Sequence, residues 1–230
     1  MSSPPEFDKF ASKYSSDIEK SLAVFGQSHD YYTQRKAEVL NAMFGAGGLD
    51  AGAARVLDVG CGVGLVHPYL TAGMLHGVDV SEESLAVARG ANPGVDYRHY
   101  DGGKLPYASG SFDFAFAICV LHHVPTEFWP SFAAEMARVV KPNGKVIVIE
   151  HNPLNPATQW VVNTCPLDEN AVLLTQWKLK RLMRAAGLVD LKVQHILFTP
   201  FSGALFRSVD RLFAKVPLGA QYVFTGTVAT

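Results

Sequence analysis

Glycines occupy every second position in one short stretch of the chain, directly after an apolar run that contains an aspartate. The run is Arg55–Val59, with Asp58 near its end, and the glycines are Gly60, Gly62 and Gly64, with Cys61 between the first two. A buried strand that breaks into a turn and then a helix has this pattern, and glycines leave the backbone bare where a ligand approaches. The stretch therefore predicts a binding site for a nucleotide-like cofactor, although a tight turn alone would also use these glycines.

Two further carboxylates follow later predicted strands. Asp79 and Val80 come at the end of the strand 75–79, and Asp101 with Gly102 follows the strand 96–100. A carboxylate at the carboxyl end of a parallel strand can accept both hydrogen bonds of a ribose diol, as expected for Asp79, or one from an adenine amino group, as expected for Asp101. The alternatives are that Asp79 only caps a helix and that Asp101 only forms a turn.

Three histidines follow the predicted fourth and fifth strands, where a second substrate is expected. His122 and His123 come after the fourth strand, and His151 ends the fifth. An imidazole can take a proton from a hydroxyl near neutral pH. His123 is the first candidate for a general base, with His122 and His151 as further candidates. The alternative is that these rings orient loops or cap backbone groups.

The composition limits the class of protein. The chain has 230 residues, of which 48% are hydrophobic and 18% charged, with a formal net charge of −1. These values fit one α/β domain with additions, and the absence of a basic excess argues against nucleic acid as the main partner. The three cysteines form no CxxC pair, so neither a disulfide framework nor a metal site is expected.

Targeting signals are also absent from the pattern of the chain. Residues 1–6 lack a basic start and an apolar segment, and the longest apolar run, 114–121, is shorter than the roughly 20 residues that a membrane-spanning helix needs. A cytoplasmic protein with no transmembrane segment is therefore expected.

Strand and helix patterns alternate along the chain. The predicted strands are 55–59, 75–79, 96–100, 112–118, 145–150, 188–198 and 221–228, and the predicted helices are 28–44, 64–72, 81–89, 126–140, 176–186 and 204–215. Alternation of this kind favours an α/β fold with a mostly parallel sheet covered on both faces. We expect residues 1–50 to form an N-terminal helical cap or lid, and residues 51–230 to form a single cofactor-binding domain.

Four ordered motifs resemble a known family. They are Val56–Gly64, Gly77–Ser81, Asp101–Asp113 (with Leu105-Pro106-Tyr107 and Ser111-Phe112-Asp113) and Arg138–Gly144. Their order is similar to that of the class I S-adenosylmethionine-dependent methyltransferases, and the closest similarity is to the type 11 branch, which acts on small molecules. The resemblance covers about residues 7–187.

The resemblance implies a fold and a set of cofactor contacts. The fold is a Rossmann-like three-layer sandwich, whose seven-stranded sheet is mostly parallel with an antiparallel last strand inserted between strands five and six. The cofactor is S-adenosylmethionine, and S-adenosylhomocysteine is the product. The expected cofactor-binding residues are Asp58, Gly60, Cys61, Gly62, Gly64, Asp79, Val80, Asp101, Gly102, Ile118 and Cys119, with Tyr14 as an aromatic residue of the lid.

The function expected from the sequence is methyl transfer to oxygen or nitrogen of a small molecule, and the resemblance suggests a sugar or lipid-linked glycan. One alternative is a nicotinamide-dependent oxidoreductase, but that fingerprint needs its third glycine one position later, where Leu65 stands. Another is a non-catalytic S-adenosylmethionine-binding module. The helix 204–215 is expected to pack over the sheet with a basic solvated edge, or else to bind a membrane surface or lipid-linked acceptor.

Overall fold

The computed structural model describes residues 28–45, 52–199, 201 and 203–230. Within them, one seven-stranded sheet has the strand order β3-β2-β1-β4-β5-β7-β6. The strands are β1 (Arg55–Val59), β2 (Met74–Asp79), β3 (Asp96–His99), β4 (Phe112–Ile118), β5 (Val140–His151), β6 (Leu188–Ile196) and β7 (Gln221–Val228). Strands β1 to β5 pair in parallel, whereas β7 lies antiparallel between β5 and β6. This topology confirms the predicted fold class.

Helices cover the sheet. They are α1 (His29–Gly45), α2 (Glu82–Ala91), α3 (Trp129–Val139), α4 (Pro156–Thr164), α5 (Gln176–Ala185) and α6 (Ala204–Phe213). In the part of the chain that is described, no helix is both long and apolar enough to cross a membrane. The predicted helix 28–44 is present as α1. Tyr14 lies outside the described residues.

The alternation of side chains along β4 divides the core into two layers. Phe114 and Phe116 face α1, where the ring of Phe44 lies 5.0 Å and 6.2 Å from their centroids. Ala115 and Ala117 face the opposite side, where Trp129 of α3 is 1% exposed. Because successive side chains of a strand point to opposite faces, the apolar run 114–117 of this strand is buried on both.

One predicted helix is wrong. Residues 64–72 contain only a 3₁₀ turn, His67–Tyr69. Gly64 has a φ of +73°, which is not helical, and β2 begins at Met74, which leaves little chain for a helix. The side chain of His67 instead holds the segment against the sheet, since its Nε2 lies 2.9 Å from Asp58 Oδ2 and its Nδ1 lies 2.5 Å from the hydroxyl of Tyr97.

Other boundaries differ from the prediction for local reasons. The predicted helix 126–140 starts with a 3₁₀ turn, and the α-helix begins only at Trp129. Strand β5 starts earlier than expected, because residues 141–144 continue the strand beyond an irregularity in its pairing with β4. Helix α4 was not predicted, although Asn155 caps it by accepting a hydrogen bond from Thr158 N at 3.0 Å, and Pro156 stands at its first position.

We expect Phe116→Ala to destabilise the protein strongly, since Phe116 is 0% exposed and packs in the aromatic layer under α1. The expected loss is about 3–5 kcal/mol of unfolding free energy, measured by urea denaturation. Leu212→Ala is the control, because that side chain is 78% exposed. Similar losses in the two variants would contradict this description of the core.

Candidate cofactor and acceptor site

A cavity of about 770 Å³ lies at the carboxyl ends of β1, β2, β4 and β5. It brings together most of the residues that the sequence singled out: Asp58, Gly60, Cys61, Gly62, Asp79, Val80, Asp101, Gly102, Ile118, Cys119, His122, His123 and His151. Gly64 is not among the lining residues. A Cβ on Gly64 would lie 2.5 Å from the hydroxyl of Tyr97, so this glycine instead allows the loop to pack against the protein behind it.

Backbone hydrogen bonds to β2 hold the glycine loop in place. Gly60 N and Cys61 N donate hydrogen bonds to Val78 O at 2.8 and 3.0 Å. Gly60 and Gly62 have φ values of +78° and +51°, which side chains other than glycine rarely adopt. A Cβ on Gly62 would meet no protein atom within 4 Å, so this position leaves open space beside the cavity that it lines.

Asp79 joins three parts of the site. Its Oδ2 accepts a hydrogen bond from Gly62 N at 2.8 Å, and its Oδ1 accepts one from Ser81 N at 2.9 Å. Burial raises the pKa of Asp79 above its ordinary value, and the two N–H groups offset part of that rise. The carboxylate therefore fixes the loop and the start of α2 while it also lines the cavity.

Asp58 carries a buried oxygen with no hydrogen-bond partner among the described residues. Its Oδ2 lies 2.9 Å from His67 Nε2, whereas its Oδ1 has none. Burial raises the pKa of Asp58, and the hydrogen bond with His67 opposes this rise. A buried polar atom without a partner is costly, so Oδ1 is suited to receive an N–H group of a ligand, such as the amino group of a methionine moiety.

Asp101 and Gly102 lie at the exposed mouth of the cavity. Asp101 Oδ1 accepts a hydrogen bond from Gly103 N at 2.9 Å, and Gly102 has a φ of +85°. Asp101 thus forms the turn that the sequence left open as an alternative, and its position at the mouth also suits contact with a ligand. Cys61 and Cys119 remain thiols, because burial raises the pKa of both.

A buried cluster of charged and imidazole groups occupies another part of the cavity wall. Glu150 is 1% exposed; its Oε1 accepts hydrogen bonds from Val120 N and Leu121 N at 3.1 and 2.8 Å, and its Oε2 lies 2.6 Å from His122 Nδ1. His122 Nε2 lies 3.5 Å from Asp168 Oδ1. Burial lowers the pKa of His122, but the two carboxylates outweigh it and raise the pKa to about 10.

His123 and His151 differ from His122 in charge. His123 Nε2 lies 3.4 Å from Asp168 Oδ1, and the ring of His151 lies 5.1 Å from that of His122. Burial and the neighbouring His122 lower the pKa of both rings to about 4, so both are neutral at pH 7. Glu150 and Asp168 were not predicted as catalytic or cofactor residues, although the sequence places the segments 150–156 and 163–169, which contain them, at the acceptor pocket.

The remaining wall of the cavity is largely apolar. Its apolar members are Tyr32, Val124, Phe128, Phe132, Val161, Leu167, Leu197 and Phe198, and polar side chains such as Thr158 and Gln221 lie among them. Helix α1 contributes Tyr32 together with His29 and Lys36, so the described part of the N-terminal segment closes one side of the cavity. Trp160, in the neighbouring helix α4, is 46% exposed and does not line the cavity.

Comparison with known proteins matches the segment that contains the glycine loop. Residues 57–148, which include the glycine loop, Asp79 and Asp101, match the family model described as a methyltransferase domain. This segment of the chain is therefore similar to a methyltransferase domain. S-adenosylmethionine is its cofactor, and the bare loop at Gly62 and the unpartnered oxygen of Asp58 fit that molecule.

Named relatives and solved structures agree with this assignment. Methyltransferase GfsG of Streptomyces halstedii is 35% identical over 147 residues, covering 58% of this chain and 52% of the relative. A phosphatidylethanolamine N-methyltransferase of Cereibacter sphaeroides is 34% identical over 134 residues, covering 55% and 61%. The chain spans about half the length of the curated relatives it matches.

The fold comparison covers more of the chain. The crystal structure of an S-adenosylmethionine-dependent methyltransferase from Thermotoga maritima, described as a possible histamine N-methyltransferase, aligns with a TM-score of 0.65 at 23% identity. The alignment covers 96% of this chain and 97% of that one. The sheet and its flanking helices are therefore those of a methyltransferase fold.

We expect Gly62→Ala to fold but to bind S-adenosylhomocysteine at least about 10-fold more weakly, because its methyl group would enter the space beside the cofactor and its backbone would carry left-handed strain. Calorimetric titration measures the affinity, and thermal denaturation measures the fold. Gly64→Ala is the matched comparison, and it should lose more stability than Gly62→Ala, since its Cβ would collide with Tyr97. Unchanged affinity in Gly62→Ala would contradict the placement of the cofactor.

Asp79→Ala should weaken S-adenosylhomocysteine binding by about 100-fold, because the substitution removes a hydrogen-bond acceptor from the cavity wall and releases the N–H groups of Gly62 and Ser81. His123→Ala should change this affinity by less than about 3-fold, since that ring lies outside the glycine loop. It belongs to the group formed by His122, His123, His151, Glu150 and Asp168, which we call the histidine cluster. The same titration compares the two variants. Equal effects would show that cofactor and acceptor functions are not divided in this way.

Proposed function

We propose that this chain transfers the methyl group of S-adenosylmethionine to an oxygen or nitrogen atom of a small molecule with a largely apolar body. The observation that carries the proposal is that a single cavity is lined by the cofactor residues, by the histidine cluster and by apolar side chains. Such a cavity can hold a donor and an acceptor at the same time.

Methyl transfer from a sulfonium ion depends mainly on position. The nucleophile must approach the methyl carbon in line with the bond to sulfur, and holding two reactants in that geometry can supply about 7–11 kcal/mol. In this chain, the glycine loop after β1 and the turn 121–123 after β4 lie at the carboxyl ends of adjacent parallel strands. This arrangement supports placing the two substrates side by side.

The histidines have different roles in the proposal. His122 is 1% exposed and its two ring nitrogens face Glu150 and Asp168, so we assign it a positioning role. His123 and His151 are neutral and line the cavity, so their rings can interact with the hydroxyl or amino group of the acceptor. Of the three candidate bases that the sequence suggested, His123 and His151 therefore remain.

The lining of the cavity supports an apolar acceptor body. Aromatic and aliphatic side chains from α1, α3 and the segment 197–198 form much of the wall, although polar side chains such as Lys36, Asn155 and Gln221 also line it. Relatives named as a ubiquinone biosynthesis O-methyltransferase and a phosphatidylethanolamine N-methyltransferase share 37% and 34% identity with parts of the chain. A lipid-linked acceptor therefore suits this cavity better than a free sugar.

We also propose that residues 1–50 act as a cap over the cofactor domain formed by residues 51–230. The support is that α1 places His29, Tyr32 and Lys36 in the cavity wall and packs Leu40 and Phe44 against the sheet. A cap of this kind would exclude water from the reacting groups.

The test is a turnover assay that measures S-adenosylhomocysteine release with a panel of quinols, lipid amines and glycolipids. With the accepted substrate, His123→Ala should lower kcat by about 100-fold or more while S-adenosylhomocysteine affinity stays near that of the unaltered protein. Binding of S-adenosylhomocysteine without turnover on any acceptor would favour a non-catalytic module. Tight binding of NADH in a fluorescence titration would favour an oxidoreductase instead.

A further inference from the structure

Three potential metal ligands converge in the histidine cluster. One ligating atom each from His122, His123 and Asp168 lies within 4.8 Å of the other two. Asp168 Oδ1 is 3.5 Å from His122 Nε2 and 3.4 Å from His123 Nε2. The three residues come from the turn after β4 and from the 3₁₀ turn Pro166–Asp168, so two separate segments build the group.

These distances fit the edges of a metal coordination sphere. Imidazole nitrogen and carboxylate oxygen bind Zn²⁺ at about 2.0–2.2 Å, which places neighbouring tetrahedral ligand atoms about 3.4 Å apart. The two distances to Asp168 Oδ1 are already near this value. An ion could therefore enter with small side-chain adjustments.

A buried carboxylate orients the first of these ligands. His122 Nδ1 lies 2.6 Å from Glu150 Oε2, and Glu150 is itself held by the N–H groups of Val120 and Leu121. A carboxylate on the far nitrogen of a metal-binding histidine fixes the ring and increases its basicity. Here the same contact directs Nε2 of His122 toward Asp168, as a ligand to a shared ion requires.

The charge of the cluster also favours a divalent cation. Glu150 and Asp168 are both buried or nearly so, with side chains 1% and 11% exposed. Two carboxylates in such a place need compensating positive charge, because an unpaired buried charge is costly. His122, whose two ring nitrogens face both carboxylates, supplies one positive charge when it is protonated, and a divalent ion that displaced this proton would supply two.

We propose that His122, His123 and Asp168 bind one divalent first-row transition-metal ion, such as Zn²⁺, with Glu150 supporting His122. All three ligands line the cavity, and three protein ligands leave a coordination position for a further molecule. No metal site is expected from the sequence, because that prediction rested on the cysteines, which are not part of this group.

The consequence for catalysis rests on the proposed methyl transfer. An acceptor hydroxyl bound at the remaining position would lose its proton more readily, because a metal ion lowers the pKa of a bound O–H group. The ring of His151, which lines the same cavity, takes that proton. The oxygen then forms a bond to the methyl carbon as the carbon–sulfur bond breaks, and the bonding pair stays on sulfur to give neutral S-adenosylhomocysteine.

The binding test needs no acceptor. The full chain is treated with a chelator, dialysed and titrated with Co²⁺, whose visible absorption reports nitrogen and oxygen ligation, and Zn²⁺ is then added as a competitor. We expect one Co²⁺ per chain, displaced by Zn²⁺. His123→Ala and Asp168→Asn should each weaken binding by about 100-fold or more, and Glu150→Gln by about 10–100-fold.

Two controls make the result decisive. His76→Ala removes a histidine that forms a partly exposed pair with Asp96 at 3.1 Å, and it should leave Co²⁺ binding unchanged. Each variant must also bind S-adenosylhomocysteine, which shows that it is folded. No stoichiometric Co²⁺ spectrum, or equal spectra for His123→Ala and the unaltered protein, would overturn the metal site.

The two proposals can fail separately. A Co²⁺ site that depends on His123 and Asp168 supports the metal proposal even if no acceptor in the panel is methylated. Turnover that proceeds with full rate after metal removal, in protein that shows no Co²⁺ spectrum, would overturn the metal site and leave methyl transfer in place.

Discussion

The site depends on one constraint, which is that the carboxyl ends of the parallel strands meet at a single edge of the sheet. Strands β1, β2, β4 and β5 end there, so the glycine loop, Asp79, the histidine pair and His151 face a common cavity although they are far apart in the sequence. Ligands bind at this edge in open α/β sheets for the same reason. The antiparallel β7 supports β5 from the other side and completes the sheet.

Two buried carboxylates make this edge rigid through the backbone. Asp79 accepts hydrogen bonds from the N–H groups of Gly62 and Ser81, and Glu150 accepts from those of Val120 and Leu121. Each carboxylate thus ties its strand to a neighbouring loop, and the hydrogen bonds compensate for the loss of water around the charge. At each end of the cavity, therefore, a buried carboxylate accepts hydrogen bonds from two backbone N–H groups, and the two carboxylates come from different strands.

The proposed functions follow from how polarity is distributed around the cavity. A pocket with apolar walls and a few convergent polar groups is a usual form of small-molecule site. In this chain two sets of polar groups stand out, the residues near Asp58 and the cluster around His122. The second set combines imidazole and carboxylate groups, which can take part in acid–base chemistry or bind a metal ion. We propose metal binding because of the geometry of these groups.

The sequence by itself determined the strands, the glycine loop and the fold class, because these depend on local patterns of burial and on residues such as Gly60 and Gly62 that permit unusual backbone angles. The tertiary structure decided what remote segments do to one another. It replaced the helix 64–72 with a short turn held by His67, and it brought Asp168 to the histidine pair. The tertiary structure also decided the charge states of the histidines. Burial and neighbouring carboxylates make the pKa values of His122 and His123 differ, although the two residues are adjacent in the chain.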